Sequence, residues 1–324
     1  MKTAFLFPGQ GAQIIGMGAD IARTFPVAAL IYQKANSILG FDLSQICFEG
    51  PADKLNNTTI SQPAIFVTSA AILEVLRTSP ETRSITANIT AGLSLGEYTA
   101  LYAAGVISFD DALILVQKRG QAMQAAADAT QGAMLSIIGL DEEKVIQLCA
   151  EAGQGELLQA VNFNCPGQIV VSGAKDACSR AVELAEKYGA IKAIPLEVAG
   201  AFHTEMMAGA AETLSEALQK AEISEPVDTR IISNSDTRII SNIDAEYYTT
   251  AEKIRQGLTK QLTCPILWQK CMERLLADGV EMFYEIGPGR VLTGLMKRIN
   301  RKIKVINISS LDSLKDLSQI TNYQ

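Results

Sequence analysis

Thr3-Ala4-Phe5-Leu6-Phe7 is an apolar run closed abruptly by Pro8-Gly9, the pattern of a short buried strand. Ile65, Val67, Ala70, Ile72, Leu73 and Leu76 follow Gln62-Pro63 at helical spacing, and the pattern stops before Pro80. Ile85, Ala87, Ile89 and Ala91 alternate as a strand does until Gly92 breaks the run. Residues 97–104 then read as a helix with Gly105 as its C-terminal cap, and residues 110–129 as a further long helix carrying Arg119. Strands alternating with helices predict an α/β layer fold with a mainly parallel sheet.

The stretch after Gly132 has a different rhythm. Residues 133–138 predict a strand, 141–152 a helix, 157–163 and 168–172 two strands, 175–188 a helix and 190–198 a last strand. That order, βαββαβ, belongs to a ferredoxin-like unit. It predicts a small domain, residues 131–198, inserted between two parts of a larger one, residues 1–130 and 199–324. Beyond it the pattern predicts a helix over 204–221, another ending near Leu262, a strand over 280–286, the turn Gly287-Pro288-Gly289 and a final helix.

One segment is duplicated: Asp228-Thr-Arg-Ile-Ile-Ser-Asn-Ser235 is followed at once by Asp236-Thr-Arg-Ile-Ile-Ser-Asn-Ile243. Two copies do not make a solenoid. The shift of eight residues is even, so either copy presents the same residues to the same face of a strand. One copy is expected in the core, and the other as a surface loop or a hairpin partner turning at Asn234-Ser235-Asp236.

Composition narrows the function. The chain has 324 residues, 48% hydrophobic and 19% charged, so an ordinary folded core is expected. No run reaches the ~20 apolar residues of a membrane span. The apolar N-terminus is shorter than a signal-peptide core, so a cytoplasmic protein is expected, or one of an organelle matrix after loss of a targeting peptide. The net charge of −7 argues against nucleic acid as the main partner. A local exception is the run 297–304, with five cations in eight residues, either a solvated helix end or a dock for an acidic partner. Six dispersed cysteines without a C-x-x-C pair, beside a single histidine, point to buried reduced thiols rather than a metal site or a disulfide framework.

The sharpest chemical signal is Gly92-Leu93-Ser94-Leu95-Gly96. A nucleophile elbow turns from strand to helix abruptly enough to lift a serine hydroxyl clear of the sheet, and the flanking glycines let neighbouring backbone approach. Chance supplies such a pattern in roughly one chain in ten of this size, but here a predicted strand precedes it and a predicted helix follows. A serine hydroxyl needs a base to take its proton. If this is a Ser-His enzyme, the base is His203, because no other histidine exists. Gly9-Gln10-Gly11 lacks the third glycine of a dinucleotide fingerprint, and no Walker phosphate loop occurs. The turn is either a plain tight turn or a source of backbone N–H groups for an oxyanion hole, with the helix N-terminus after Ser94 supplying the other half.

Taken together, these residues resemble the malonyl-CoA:acyl carrier protein transacylases and the related acyltransferase domains of polyketide synthases. The resemblance runs from Phe7-Pro8-Gly9-Gln10-Gly11 to Gly287-Pro288-Gly289-Arg290-Val291-Leu292, through Gly92-Leu-Ser-Leu-Gly-Glu-Tyr98, Gln117-Lys-Arg-Gly120, Ala160-Val-Asn-Phe-Asn164 and Ala201-Phe202-His203. It implies a serine hydrolase-like α/β core with an inserted ferredoxin-like domain. It further implies a malonyl ester on Ser94, proton transfer by His203, an oxyanion hole from the amides of Gln10 and Leu95, and Arg119 gripping the free malonyl carboxylate. Gln261 matches the residue whose backbone carbonyl orients the histidine. Malonyl-CoA and acyl carrier protein are the implied partners, with no metal or bound cofactor, no membrane and a monomeric chain. Fatty acid synthesis is the implied pathway, with a polyketide synthase served in trans as the alternative. A serine esterase or thioesterase, and a non-catalytic carrier-binding module, are the rival functions. Leu93 stands where the family commonly has histidine, which affects the pocket wall. Ala201-Phe202 matches malonyl-selective rather than methylmalonyl-selective members, which tend to have serine in place of that phenylalanine.

Overall fold

The computed structural model describes residues 1–226 and 237–321. Its strands are β1 (Thr3–Phe7), β2 (Ile89–Gly92), β3 (Gly132–Ile138), β4 (Leu158–Cys165), β5 (Gln168–Ala174), β6 (Lys192–Pro195), β7 (Arg238–Ile239), β8 (Met282–Ile286) and β9 (Val305–Ile308). They form two sheets, one of five strands in the order β7-β2-β1-β8-β9 and one of four in the order β4-β5-β3-β6. Every pairing in the first sheet is parallel and every pairing in the second antiparallel.

β1 lies at the centre of the parallel sheet, with helices on both faces, which is why its sequence is apolar without alternation: Ala4 to Phe7 are all buried. The register sets Phe7 opposite Gly92 and Leu6 opposite Glu285. The turns at Pro8-Gly9, Gly92-Leu93 and Gly287-Pro288 therefore open at one edge, the carboxyl end of the strands, where open α/β sheets bind ligands.

In the second sheet the strand order, counted from β3, is fourth-first-third-second, the arrangement of a ferredoxin-like unit. Leu135, Ile137 and Val171 face the helices Glu142–Gly153 and Lys175–Ala185 and make a core of their own. Met134, Val161 and Val170 point the other way and join the main core. Both faces are covered, and Met134 and Asn162 reach the cavity described below.

Several elements differ from the sequence pattern. The helix expected after Pro63 is Thr58–Thr78, with Pro63 inside it. Asn57 accepts a hydrogen bond from the Thr59 amide at 2.9 Å and caps the earlier start, and Pro63 forfeits one intrahelical donor. This helix is long and apolar enough to cross a membrane, but 83% of its most apolar window is buried within the fold. β2 is shorter than the alternation of Ile85 and Ala87 suggests, and β6 shorter than 190–198. A 3-10 turn, Glu205–Met207, precedes the helix Ala208–Lys220. The pattern misses the helix Trp268–Ala277, and after the helix Val291–Ile299 it misses both β9 and the helix Leu311–Thr321. β9 is a four-residue edge strand beside the basic run, too short to announce itself.

Of the duplicated segment, the second copy supplies β7, with Arg238 opposite Ile89 and Ile239 opposite Thr90. The first copy and its expected turn at Asn234-Ser235-Asp236 lie outside the described residues.

Candidate active site

The elbow is built from close backbone contacts. A Cβ on Gly92 would stand 1.9 Å from the carbonyl carbon of Gly96, and one on Gly96 would stand 2.1 Å from the Phe7 oxygen. Only hydrogen fits at either position. Between them Ser94 adopts φ of 50°, a left-handed conformation held by the turn bond from the Gly96 amide to the Leu93 oxygen at 2.9 Å. Asn242, fully buried just beyond β7, clamps the turn: its Oδ1 accepts from the Ser94 amide at 2.7 Å and its Nδ2 donates to the Gly92 oxygen at 2.8 Å.

His203 faces the serine, with Nε2 3.1 Å from Ser94 Oγ. Its Nδ1 lies 2.6 Å from the backbone oxygen of Gln261. A carbonyl can only accept, so Nδ1 carries the proton and Nε2 presents its lone pair to the serine hydroxyl. Burial lowers the imidazole to about 4; the nearby Arg119 charge adds to this and the Gln261 carbonyl opposes it. The ring is therefore neutral near pH 7, as a general base must be.

Arg119 is 1% exposed on the helix Phe109–Asp128. Its Nη1 donates to Gln62 Oε1 at 2.7 Å, and its Nη2 donates to Ser94 Oγ at 2.8 Å and to Gln261 Oε1 at 3.0 Å. All three acceptors are neutral, and Nε has no partner among the described residues. A buried guanidinium without a touching carboxylate is a ready receptor for an anion.

Ser94, His203 and Arg119 line a cavity of about 370 Å³ between the carboxyl edge of the parallel sheet and the second sheet. Leu93 and Phe202 form parts of its wall. Leu95 follows the serine in the chain, and Gln10 lines the cavity on a turn pressed so close to the elbow that a Cβ on Gly9 would lie 2.3 Å from the Leu93 oxygen. Among the described residues neither the Gln10 nor the Leu95 amide donates a backbone–backbone hydrogen bond. The sequence-predicted residues Ser94, His203, Gln10, Leu95, Arg119 and Gln261 thus meet at one place. The basic run 297–304 does not join them. The helix Val291–Ile299 carries the chain back from the end of β8 to the start of β9, so the run lies at the opposite edge of the sheet, where Arg298 donates to Gln168.

Four residues of the site escape the sequence pattern: Gln62, Asn242, Asn162 and Glu97. Asn162 lines the cavity from β4 with a buried Oδ1 that no described residue satisfies. Gln62 carries a hint, an amide side chain directly before Pro63 and the apolar run that follows it. Among the described residues no group of three or more His, Cys, Asp or Glu side chains could hold a metal ion. The arrangement has elements that nucleophilic acyl transfer uses: a hydroxyl within reach of an imidazole of defined tautomer, and a buried cation beside it.

The profile of the acyl transferase domain family matches residues 4–313. A malonyl CoA-acyl carrier protein transacylase of Bacillus subtilis (strain 168) is 44% identical over 97% of this chain and 95% of its own length. That of Escherichia coli (strain K12) is 41% identical over 92% of this chain and 93% of its own. A malonyl-transacylase solved in complex with a type II polyketide synthase acyl-carrier protein superposes with a TM-score of 0.92 at 39% identity, covering 99% of this chain and 100% of that one. An acyl carrier protein S-malonyltransferase from Vibrio cholerae superposes with a TM-score of 0.90 at 41% identity, over 98% of this chain and 100% of that one. With the family's profile spanning nearly its whole length and relatives this similar, the chain belongs to the acyl transferase domain family.

Proposed function

We propose that this protein transfers malonyl from malonyl-CoA to the phosphopantetheine thiol of acyl carrier protein through a malonyl ester on Ser94, supplying fatty acid synthesis. The observation that carries this reading is Arg119, a buried cation within hydrogen-bonding distance of the nucleophile and paired only with neutral oxygens. A neutral acyl group has no use for such a residue; a malonyl group brings the carboxylate that a guanidinium fork fits.

In the first half-reaction Ser94 Oγ attacks the thioester carbonyl while its proton passes to His203 Nε2. The charge that gathers on the carbonyl oxygen turns toward the amides of Gln10 and Leu95. The C–S bond breaks, and the coenzyme A thiolate leaves with the proton from His203. The second half-reaction repeats these steps with the carrier thiol as nucleophile and Ser94 Oγ as leaving group. The Gln261 carbonyl takes the place of a triad carboxylate, holding Nδ1–H at 2.6 Å without adding negative charge. Malonate draws Arg119 Nη2 off Ser94 Oγ, freeing the hydroxyl as the substrate arrives. Residues 1–130 and 199–324 form the catalytic unit of this reading and residues 131–198 the small unit across the cavity, in a monomer of the cytoplasm or an organelle matrix. The similar malonyl-transacylase solved with a type II polyketide synthase carrier keeps the second pathway in view, and the carrier decides between them.

Intact-mass measurement after brief exposure to malonyl-CoA tests the reading. A malonyl adduct on Ser94 that is discharged by added holo-carrier protein, and absent in Ser94→Ala, is expected. Release of free malonate despite carrier would indicate a thioesterase, and no adduct at all a binding module. Comparing fatty acid and polyketide carriers in the discharge step assigns the pathway.

A further inference from the structure

Glu97 is 1% exposed, one turn beyond the nucleophile on the helix Gly96–Ala103. It takes no part in the steps above, yet both of its oxygens are engaged. Oε2 accepts from Gln261 Nε2 at 2.7 Å and from the Asn242 amide at 3.3 Å, and Oε1 accepts from the Tyr248 hydroxyl. No cation touches it among the described residues. The three donors favour its ionised form, against the burial that disfavours it.

The partner that matters is Gln261. Its side-chain amide is oriented without ambiguity: Nε2 donates to Glu97 and to the Ser94 backbone oxygen at 3.0 Å, while Oε1 accepts from Arg119. Its backbone oxygen holds His203 Nδ1. One residue thus touches the base, the anion receptor and the elbow, and its free amide end is fastened to Glu97. The Arg119 and Glu97 charges, both buried, are joined through that amide.

We propose that Glu97 is the positioning residue of the site, holding Gln261 so that its backbone oxygen meets His203 while its side-chain oxygen meets Arg119. The proposal rests on the acyl-transfer reading above. Its consequence is that loss of the Glu97 charge loosens Gln261 and slows the reaction without removing any group that touches substrate.

Burial raises the Glu97 carboxyl to about 7, against the donors from Tyr248, Gln261 and Asn242. The other titratable groups facing it are Asp244 from the loop after β7, Cys271 from the helix Trp268–Ala277, Tyr98 from its own helix and Arg119 from the helix Phe109–Asp128. A carboxyl with a raised value is protonated below it, so kcat/KM rises with pH through about 7 as Glu97 ionises. Glu97→Gln has no such ionisation. A glutamine still accepts from Gln261 and Asn242 through Oε1, so the variant retains a slower activity whose acid limb falls at about 4, where His203 gains its proton. Tyr248→Phe removes a donor that favours the ionised carboxylate and moves the limb upward instead.

The experiment measures malonyl transfer to holo-carrier protein against pH for the wild type, Glu97→Gln, Tyr248→Phe, Gln261→Met and the double variant Glu97→Gln/Gln261→Met. Expected are a loss of about tenfold in kcat/KM for Glu97→Gln at pH 8, a limb displaced in opposite directions by Glu97→Gln and Tyr248→Phe, and a double variant no worse than the poorer single one. An unmoved limb in both variants, or losses that multiply in the double variant, overturns the proposal. Absence of malonyl transfer by the wild type would instead overturn the functional reading on which it rests.

Discussion

The two ends of the acyl site are held in different ways. Ser94 is placed mainly by backbone: two glycines pressed against carbonyls and a left-handed φ, with the Asn242 and Gln261 side chains tying down the turn. Arg119 is placed by side chains, with Gln62 and Gln261 drawn from helices far apart in the chain. On the proposed reading the nucleophile is fixed by its own turn, while Arg119 exchanges Ser94 Oγ for the carboxylate of the substrate. Chemistry needs the first to be rigid, and selection among acyl groups needs the second to respond.

The largest effect expected is from Gly96→Ala, which sets a Cβ 2.1 Å from a main-chain oxygen of β1. Stability should fall by about 4 kcal/mol or more, seen as a large drop in melting temperature with loss of transfer for every acyl group. Near-normal melting would mean that the elbow is less constrained than its contacts indicate. Arg119→Ala should separate the two ends: malonyl kcat/KM falls by about 1,000-fold, while acetyl transfer changes by less than about tenfold. Equal losses for both acyl groups would remove the carboxylate role and make Arg119 part of the elbow's support. Asn242→Ala leaves the Ser94 amide and the Gly92 oxygen unpaired, for a loss of about 2 kcal/mol in denaturant unfolding. It should slow malonyl and acetyl transfer alike. Gln62→Leu is the smallest and sharpest test, removing one acceptor from Arg119 and nothing from Ser94. About a tenfold loss in malonyl transfer with acetyl transfer unchanged is expected, and a matched loss in both would blur the distinction between the ends.

Legibility in the sequence follows the same division. β1, the elbow and the βαββαβ order are local patterns, and each can be read from a few consecutive residues. The pairing of Ser94 with His203 was expected because a serine nucleophile needs a base and the chain holds one histidine, and the two side chains do meet at 3.1 Å. Gln62, Asn242 and Glu97 could not be found that way. Their partners lie 57, 148 and 164 residues away in sequence, and a polar residue in a helix or after a strand reads as solvated until the fold supplies its neighbour. Arg119 sat between the two cases, a plain helix cation by pattern and a receptor by family resemblance. β9 and the last helix were lost for another reason: a short edge strand buries few residues, so its pattern carries little signal.

β7 is two residues long and, among the described residues, stands at the rim of its sheet with a neighbour on one side only. At the rim of a sheet, unlike at its centre, a strand has one ladder rather than two to keep, so a change of chain length costs less there. The duplicated segment enters there, and it repeats the asparagine that ends in the clamp on Ser94. The chain thus spells twice the side chain that this turn needs once.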